Sequence, residues 1–342
     1  MRVEALSSAL VPAWDEFVRG HKAADHFHRA AWREVIARST GHEPHYLAAV
    51  EGDRVRGVLP LFVLRTKIFG TLAVSLPFLN IGGIVADGPE ARDALAAAGL
   101  ELGRRTGCRY VELRQRDALA IEDLPVSSRK VTSVIDLAGG ADAVFARLHQ
   151  NVRNKIRKAE KNDVVVTRGA EGLGDFYRVY SHNLRDLGTP VMSRRFFGEI
   201  LRAFEDDVHV YTARRHGTLL GAKIVIHASS TAYFIWAAAY RNALEYAPVQ
   251  ALNWAAIRDA CDAGCAEIDL GRSTDGSSHQ NFKKYWGVEI RPLHWTYQLV
   301  TATHMPGLNP DNPKFALAVK IWKLMPVALT RIFGPPLARL LP

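Results

Sequence analysis

Cysteine is scarce, three among 342 residues. Cys261 and Cys265 fall four apart on a predicted helix, so the set builds no disulfide framework and lacks the partners of a zinc site. It fits a reducing cytoplasm. Long apolar runs are missing as well: no stretch of about 18 apolar residues exists to span a bilayer. Met1-Arg-Val-Glu-Ala-Leu-Ser-Ser8 has no basic segment leading into an apolar one, so no signal peptide is expected and the chain should stay inside the cell. The histidines His21, His26, His28, His42 and His45 have no compact ligand spacing, so no metal is implied. Acidic residues are outnumbered, 35 against 44 Lys and Arg, for a net charge of +9. Such a surface prefers anionic company: nucleic acid, phosphorylated sugar or an acidic membrane face.

What is present is ample apolar material, 48% of residues, enough for two medium domains with real cores. The spacing predicts a hairpin around Glu51-Gly-Asp-Arg54 between His45 and Arg65, then strand-like residues from Leu72 to Val85. A helix over Ala91–Arg105 stops at Gly107, and a strand follows over Arg109–Arg114. The second half repeats the scheme. Helices are expected near 173–187 and 193–205, then a meander over 208–214, 219–227 and 231–239. A helix from Ala247, a strand over 267–270, a short helix and a last strand near 293–300 complete it. No low-complexity linker separates the halves. Two meanders, each closed by a helix and a further strand, indicate a duplicated α+β fold, a plan that resembles two tandem GNAT-like (acyl-CoA N-acyltransferase fold) domains. The expected division is 1–138, 139–305 with the main site, and a basic amphipathic C-terminal tail over 306–342.

The most informative stretch is Asp269-Leu-Gly-Arg-Ser-Thr274 followed by Asn281-Phe-Lys-Lys-Tyr-Trp-Gly287. It brings cations, a carboxylate and aromatic rings to a strand end. Asp269 before a glycine can face a cleft as a base or simply cap the following turn, and His279 is a further base candidate. Arg272 suits a substrate phosphate through its planar fork, with Lys284 and Arg241 beside it. Tyr240 and Tyr246 can hydrogen bond or stack in the cleft, or serve as packing. The basic helical run Asn151-Val-Arg-Asn-Lys-Ile-Arg-Lys-Ala-Glu160 reads either as a solvated face or as a contact for tRNA phosphates or a membrane.

That run, with Pro77-Phe-Leu-Asn-Ile-Gly-Gly83, Asp269-Leu-Gly-Arg-Ser273 and Phe282-Lys-Lys-Tyr-Trp-Gly287, resembles the FemAB group of aminoacyltransferases and related GNAT acyltransferases. The likeness is greatest to the FemAB-like proteins found beside PEP-CTERM exosortase and exopolysaccharide systems. The resemblance implies transfer of an aminoacyl or acyl group to an amine of a cell-envelope precursor that carries phosphate, peptidoglycan or exopolysaccharide. No cofactor is expected to be tightly bound; the donor would be aminoacyl-tRNA or acyl-CoA. Lys283 matches the family's lysine beside the transferring carbonyl, with Phe282 before it and Ser273 and Asn80 in the shared motifs. Asp87, in Gly82-Gly-Ile-Val-Ala-Asp87, matches the aspartate placed near the acceptor amine. The chain departs from the family in two places: it has no long heptad insertion, and no Arg/Gln-x-x-Gly-x-Gly/Ala loop follows Tyr240.

The C-terminal segment from Pro313 to Pro342 is apolar, punctuated by Lys314, Lys320, Lys323, Arg331 and Arg339, with no acidic residue after Asp311. It is expected either to lie on an anionic inner-membrane surface, making the protein peripheral there, or to pack on the body. An alternative for the whole chain is a non-catalytic membrane- or nucleic-acid-associated accessory protein on the same scaffold.

Overall fold

The computed structural model describes residues 1–305 and 313–341. The chain divides into two compact units. The first groups Met1–Lys130 with the segment from Pro292 and that from Arg339; the second groups Val131–Arg291 with the C-terminal helices up to Ala338.

In chain order the first unit runs β1 (Arg2–Ala5), α1 (Val11–Gly20), α2 (Trp32–Thr40), β2 (Glu43–Glu51), β3 (Arg54–Thr66), β4 (Gly70–Ser75), β5 (Val85–Ala86), α3 (Pro89–Arg105) and β6 (Tyr110–Gln115). Then follow β7 (Val126–Asp136), α4 (Gly140–Arg147), α5 (Gln150–Lys161), β8 (Val164–Arg168), α6 (Leu173–Leu187), α7 (Arg194–Ala203), β9 (Val208–Arg215), β10 (Thr218–Ala228) and β11 (Thr231–Ala239). The chain goes on through α8 (Pro248–Asp262), β12 (Glu267–Thr274), α9 (Ser278–Lys284), β13 (Glu289–Leu299), α10 (Pro313–Leu324) and α11 (Val327–Ala338).

The first unit's sheet has the order β1-β2-β3-β4-β6-β13, with β5 on β3. Its core sets Leu59, Leu61, Ala73, Val111 and Leu113 against Ala91, Leu95 and Leu102 of α3. The hairpin expected around Glu51–Arg54 is formed, with Glu51 opposite Arg54. The strand-like reading from Leu72 to Val85 holds to Ser75 and again at Val85, where β5 begins. Between them Leu76 and Phe78 take left-handed backbone, and the Gly82 and Gly83 amides donate to the Arg114 carbonyl. A side chain on Gly83 would collide with the Gln115 amide. The Pro77–Gly83 motif is thus a loop laid closely on β6.

The second unit's sheet has the order β7-β12-β11-β10-β9-β8. Val225, Phe234 and Ile268 pack there against Leu252, Ala256, Ile257 and Ala260 of α8, and Val144, Val152 and Ile156 of α4 and α5 close the same core. The basic helix α5 is amphipathic: Val152, Ile156 and Ala159 are buried, while Lys155, Arg157 and Lys158 face out.

Two boundaries differ from the expected 1–138, 139–305 and 306–342. β13 belongs to the first unit because it pairs antiparallel with β6, His294 opposite Gln115 through Leu299 opposite Tyr110. Helices α10 and α11 belong to the second unit, where both contact α6. The expected start of the tail, at 306, lies outside the described residues. Among the described residues no helix is long and apolar enough to cross a membrane.

Candidate active site

Strand β12 carries the site. It pairs in parallel with β11 from Thr231 opposite Glu267 to Tyr233 opposite Asp269. Asp269 is buried at the end of that register, and its Oδ1 accepts from the Thr132 hydroxyl and, at 2.6 Å, from the Gly271 amide. Gly271 sits at φ +78°, a backbone state that glycine enters without strain. Its carbonyl accepts from Lys283 Nζ at 2.6 Å, and the Arg272 carbonyl lies 3.3 Å from the same nitrogen.

Lys283 comes from α9, whose first turn is capped by the Ser277 hydroxyl accepting from the Gln280 amide. Helical spacing turns Gln280 and Lys283 inward and leaves Phe282 and Lys284 outside. Only 4% of Lys283 is exposed. Burial is the main cause that lowers its pKa to about 8; the Asp269 carboxylate works against the shift and Arg272 adds to it. At neutral pH Lys283 remains mostly an ammonium, dehydrated and aimed by two carbonyls.

A second lysine belongs to this region, and sequence reasoning missed it. Lys223, in the middle of β10, is buried, donates to Asn253 Oδ1 of α8 at 2.5 Å, and lies 3.3 Å from the Phe234 ring centroid. Burial, and then the charge of Lys283, push its pKa well below the ordinary lysine range. The signal was a lone cation inside the apolar run Leu219-Leu-Gly-Ala-Lys-Ile-Val-Ile226.

On the Lys283 side the buried Ser273 hydroxyl is 3.2 Å from His279 Nδ1. Desolvation of the ring, aided by the Lys283 charge, holds His279 below its usual 6.5. Arg272 alternates outward on the strand, so its carbonyl, rather than its exposed side chain, meets Lys283.

Tyr240, Arg241 and Tyr246 come together in the second unit, lining a cleft of about 700 Å³ with His182 and Thr218–Leu220. The His182 ring meets Tyr240 edge-on at 5.3 Å, and Arg215 lies over Tyr246. The cleft borders the turn Arg241–Tyr246 that leads into α8, where Ala247 takes left-handed backbone ahead of Pro248.

Asp87 and Asn80 belong to the first unit. Asp87 is 43% exposed and faces His21 and Arg56, each at 3.6 Å. The Asn80 carbonyl accepts from Trp295 Nε1 at 3.3 Å. The structure gives both residues local partners within the first unit. Among the described residues no cluster of His, Cys, Asp or Glu could hold a metal ion.

Residues 146–284 match the family of the acetyltransferase (GNAT) domain. No curated protein matches the chain in sequence. Among solved structures, FemX superposes with a TM-score of 0.69 at 15% identity, over 88% of this chain and 98% of that one. The C-terminal domain of a putative lysylphosphatidylglycerol synthetase from Agrobacterium fabrum gives 0.56 at 13%, over 92% and 95%. A tandem GNAT protein from the clavulanic acid biosynthesis pathway gives 0.51 at 14%, over 86% and 97%. At these identities the likeness is one of fold. The chain has the α+β fold of two tandem GNAT-like domains, and the match to the acetyltransferase (GNAT) domain falls on residues 146–284.

Proposed function

We propose that the protein is an N-acyltransferase whose donor is an acyl thioester of the CoA type and whose acceptor is an amine on a phosphate-bearing cell-envelope precursor. The observation that carries this reading is Lys283, an ammonium buried at the end of β12 and aimed by the Gly271 and Arg272 carbonyls. In amide formation the acceptor nitrogen bonds to the acyl carbon, the carbonyl oxygen becomes an oxyanion, and the C–S bond then breaks. A dehydrated cation beside that oxygen is worth on the order of 3 kcal/mol in the transition state. His279, neutral near pH 7, takes the proton from the attacking nitrogen, and the leaving thiolate receives it in turn.

The cleft lined by Tyr240, Arg241 and Tyr246 supports the choice of donor. Arg241, which lines it, suits a pyrophosphate through its planar fork. Exposed Lys155, Arg157 and Lys158 on α5 would serve the other donor, an aminoacyl-tRNA. Calorimetric titration of the protein with acetyl-CoA and with charged tRNA, at one fixed salt concentration, separates the two. CoA binding weakened about tenfold or more in Arg241→Ala is the expected result. Tight binding of charged tRNA with none of CoA would overturn the donor assignment.

A further inference from the structure

Helices α10 and α11 distribute their residues in an order opposite to that of a surface helix. Helix α11 buries small side chains, Thr330, Gly334 and Ala338, one turn apart. Gly334 fits so closely that a side chain there would meet Val191 at 3.1 Å. Arg331 fastens the same side, donating to the Ser181 hydroxyl of α6 at 2.8 Å. The large residues Leu329, Ile332, Phe333 and Leu337 are left exposed. Helix α10 seats Trp322 inward, and Val319 of that helix would be met at 2.5 Å by a side chain on Gly188, just past the end of α6. Leu317, Ile321 and Leu324, at helical spacing, face out, Leu324 being 84% exposed. Lone exposed leucines are ordinary, but a face of this size on two consecutive helices marks an interaction surface.

We propose that this face is an interfacial membrane anchor that sits in the headgroup region of an anionic bilayer. Charge selects the occupant. Exposed Lys320 and Lys323 stand among the apolar side chains, and the sequence has no acidic residue after Asp311. A second copy of the same face would set cation against cation. An anionic leaflet accepts both the apolar side chains and the lysines, each lysine near such a surface adding about 1 kcal/mol, or about fivefold, to binding.

The test is co-sedimentation of the full chain with vesicles of phosphatidylcholine alone or mixed with phosphatidylglycerol, at about 0.15 M salt. The expected result is binding to the anionic vesicles. Ile332→Glu/Phe333→Glu should reduce partitioning at least about tenfold, and Lys320→Ser/Lys323→Ser should remove most of the preference for anionic lipid. Leu324→Glu, at the most exposed of these positions, gives the same reading if the double variant fails to fold. Failure of the wild-type chain to sediment with anionic vesicles overturns the proposal. So does binding that these substitutions leave unchanged. A dimer in sedimentation velocity that Ile332→Glu/Phe333→Glu breaks, with no vesicle binding, would instead assign the face to a second copy.

Discussion

The two units place different polar groups in the middle of their sheets. In the first, Glu112 and Arg114 stand two apart on β6 and so share a face. Their side chains pair at 2.7 Å, Arg114 also donates to the Leu79 carbonyl at 2.6 Å, and its guanidinium lies 4.4 Å from the Trp295 ring centroid. The charges cancel and the donors are used. In the second, Lys223 has the neutral Asn253 as its hydrogen-bond partner among the described residues, and the carboxylate that offsets Lys283 accepts from Thr132 and Gly271. That region sets two buried lysines against one carboxylate, and burial drives Lys223 toward its neutral form. A buried pair with matched partners specifies a core, whereas a buried amine without an ionic partner gives up its charge or costs stability.

The largest expected effect that would sharpen this contrast lies in the first unit. Glu112→Gln leaves Arg114 buried against a neutral partner and should cost about 3–5 kcal/mol in denaturant unfolding. A loss under about 1 kcal/mol would break the comparison. In the second unit, Lys283→Met should cut kcat by about a hundred- to a thousandfold, on the order of 3–4 kcal/mol, with the melting temperature kept or raised. Near-normal turnover in that folded variant would remove Lys283 from the mechanism.

Smaller is the effect of Lys223→Met/Asn253→Leu, which deletes both partners together and should stabilise the protein by about 1–3 kcal/mol. The sign follows from linkage. The folded-state pKa of Lys223 is depressed, so the unfolded chain binds the extra proton and folding is penalised as pH falls below the ordinary 10.5. The gain should therefore be greater at pH 7 than at pH 10. A destabilised double variant would show that Lys223 is an ordinary member of the core.

The pH profile gives the finest test. Turnover needs His279 neutral and Lys283 protonated, so kcat/KM should rise as pH climbs through the lowered His279 value, below 6.5, and fall again near 8. Asp269→Asn removes the carboxylate that favours the charged Lys283 and should move the alkaline limb to lower pH. An unmoved limb would assign it to another group.

Much of the fold was legible because its signals are local. The hairpin at Glu51–Arg54, helix α3, the meander of β9, β10 and β11, and α8 announce themselves by turn residues and apolar period, and each is formed where expected. Short or two-sided elements gave no such signal: α4, β8 and β7 were not anticipated. At the candidate site the sequence marked Asp269, Ser273 and Lys283. It also grouped Phe282, Lys284 and Arg272 with them, but strand and helix periodicity turn those side chains outward. Asp87 was chosen by motif and lies in the other unit, against His21 and Arg56.

By itself the sequence determined what periodicity, turn chemistry and composition can encode: the α+β plan, most strands and helices and the basic composition. Tertiary structure decided what depends on partners distant along the chain. It returned β13 to β6, set Lys223 of β10 against Asn253 of α8, closed Thr132 on Asp269, and packed the small residues of α11 inward so that its large ones face out. The physical reason is that burial and hydrogen bonding are properties of neighbourhoods. A lysine in an apolar strand looks the same in sequence whether solvent or a second buried lysine awaits it, and only packing distinguishes the two.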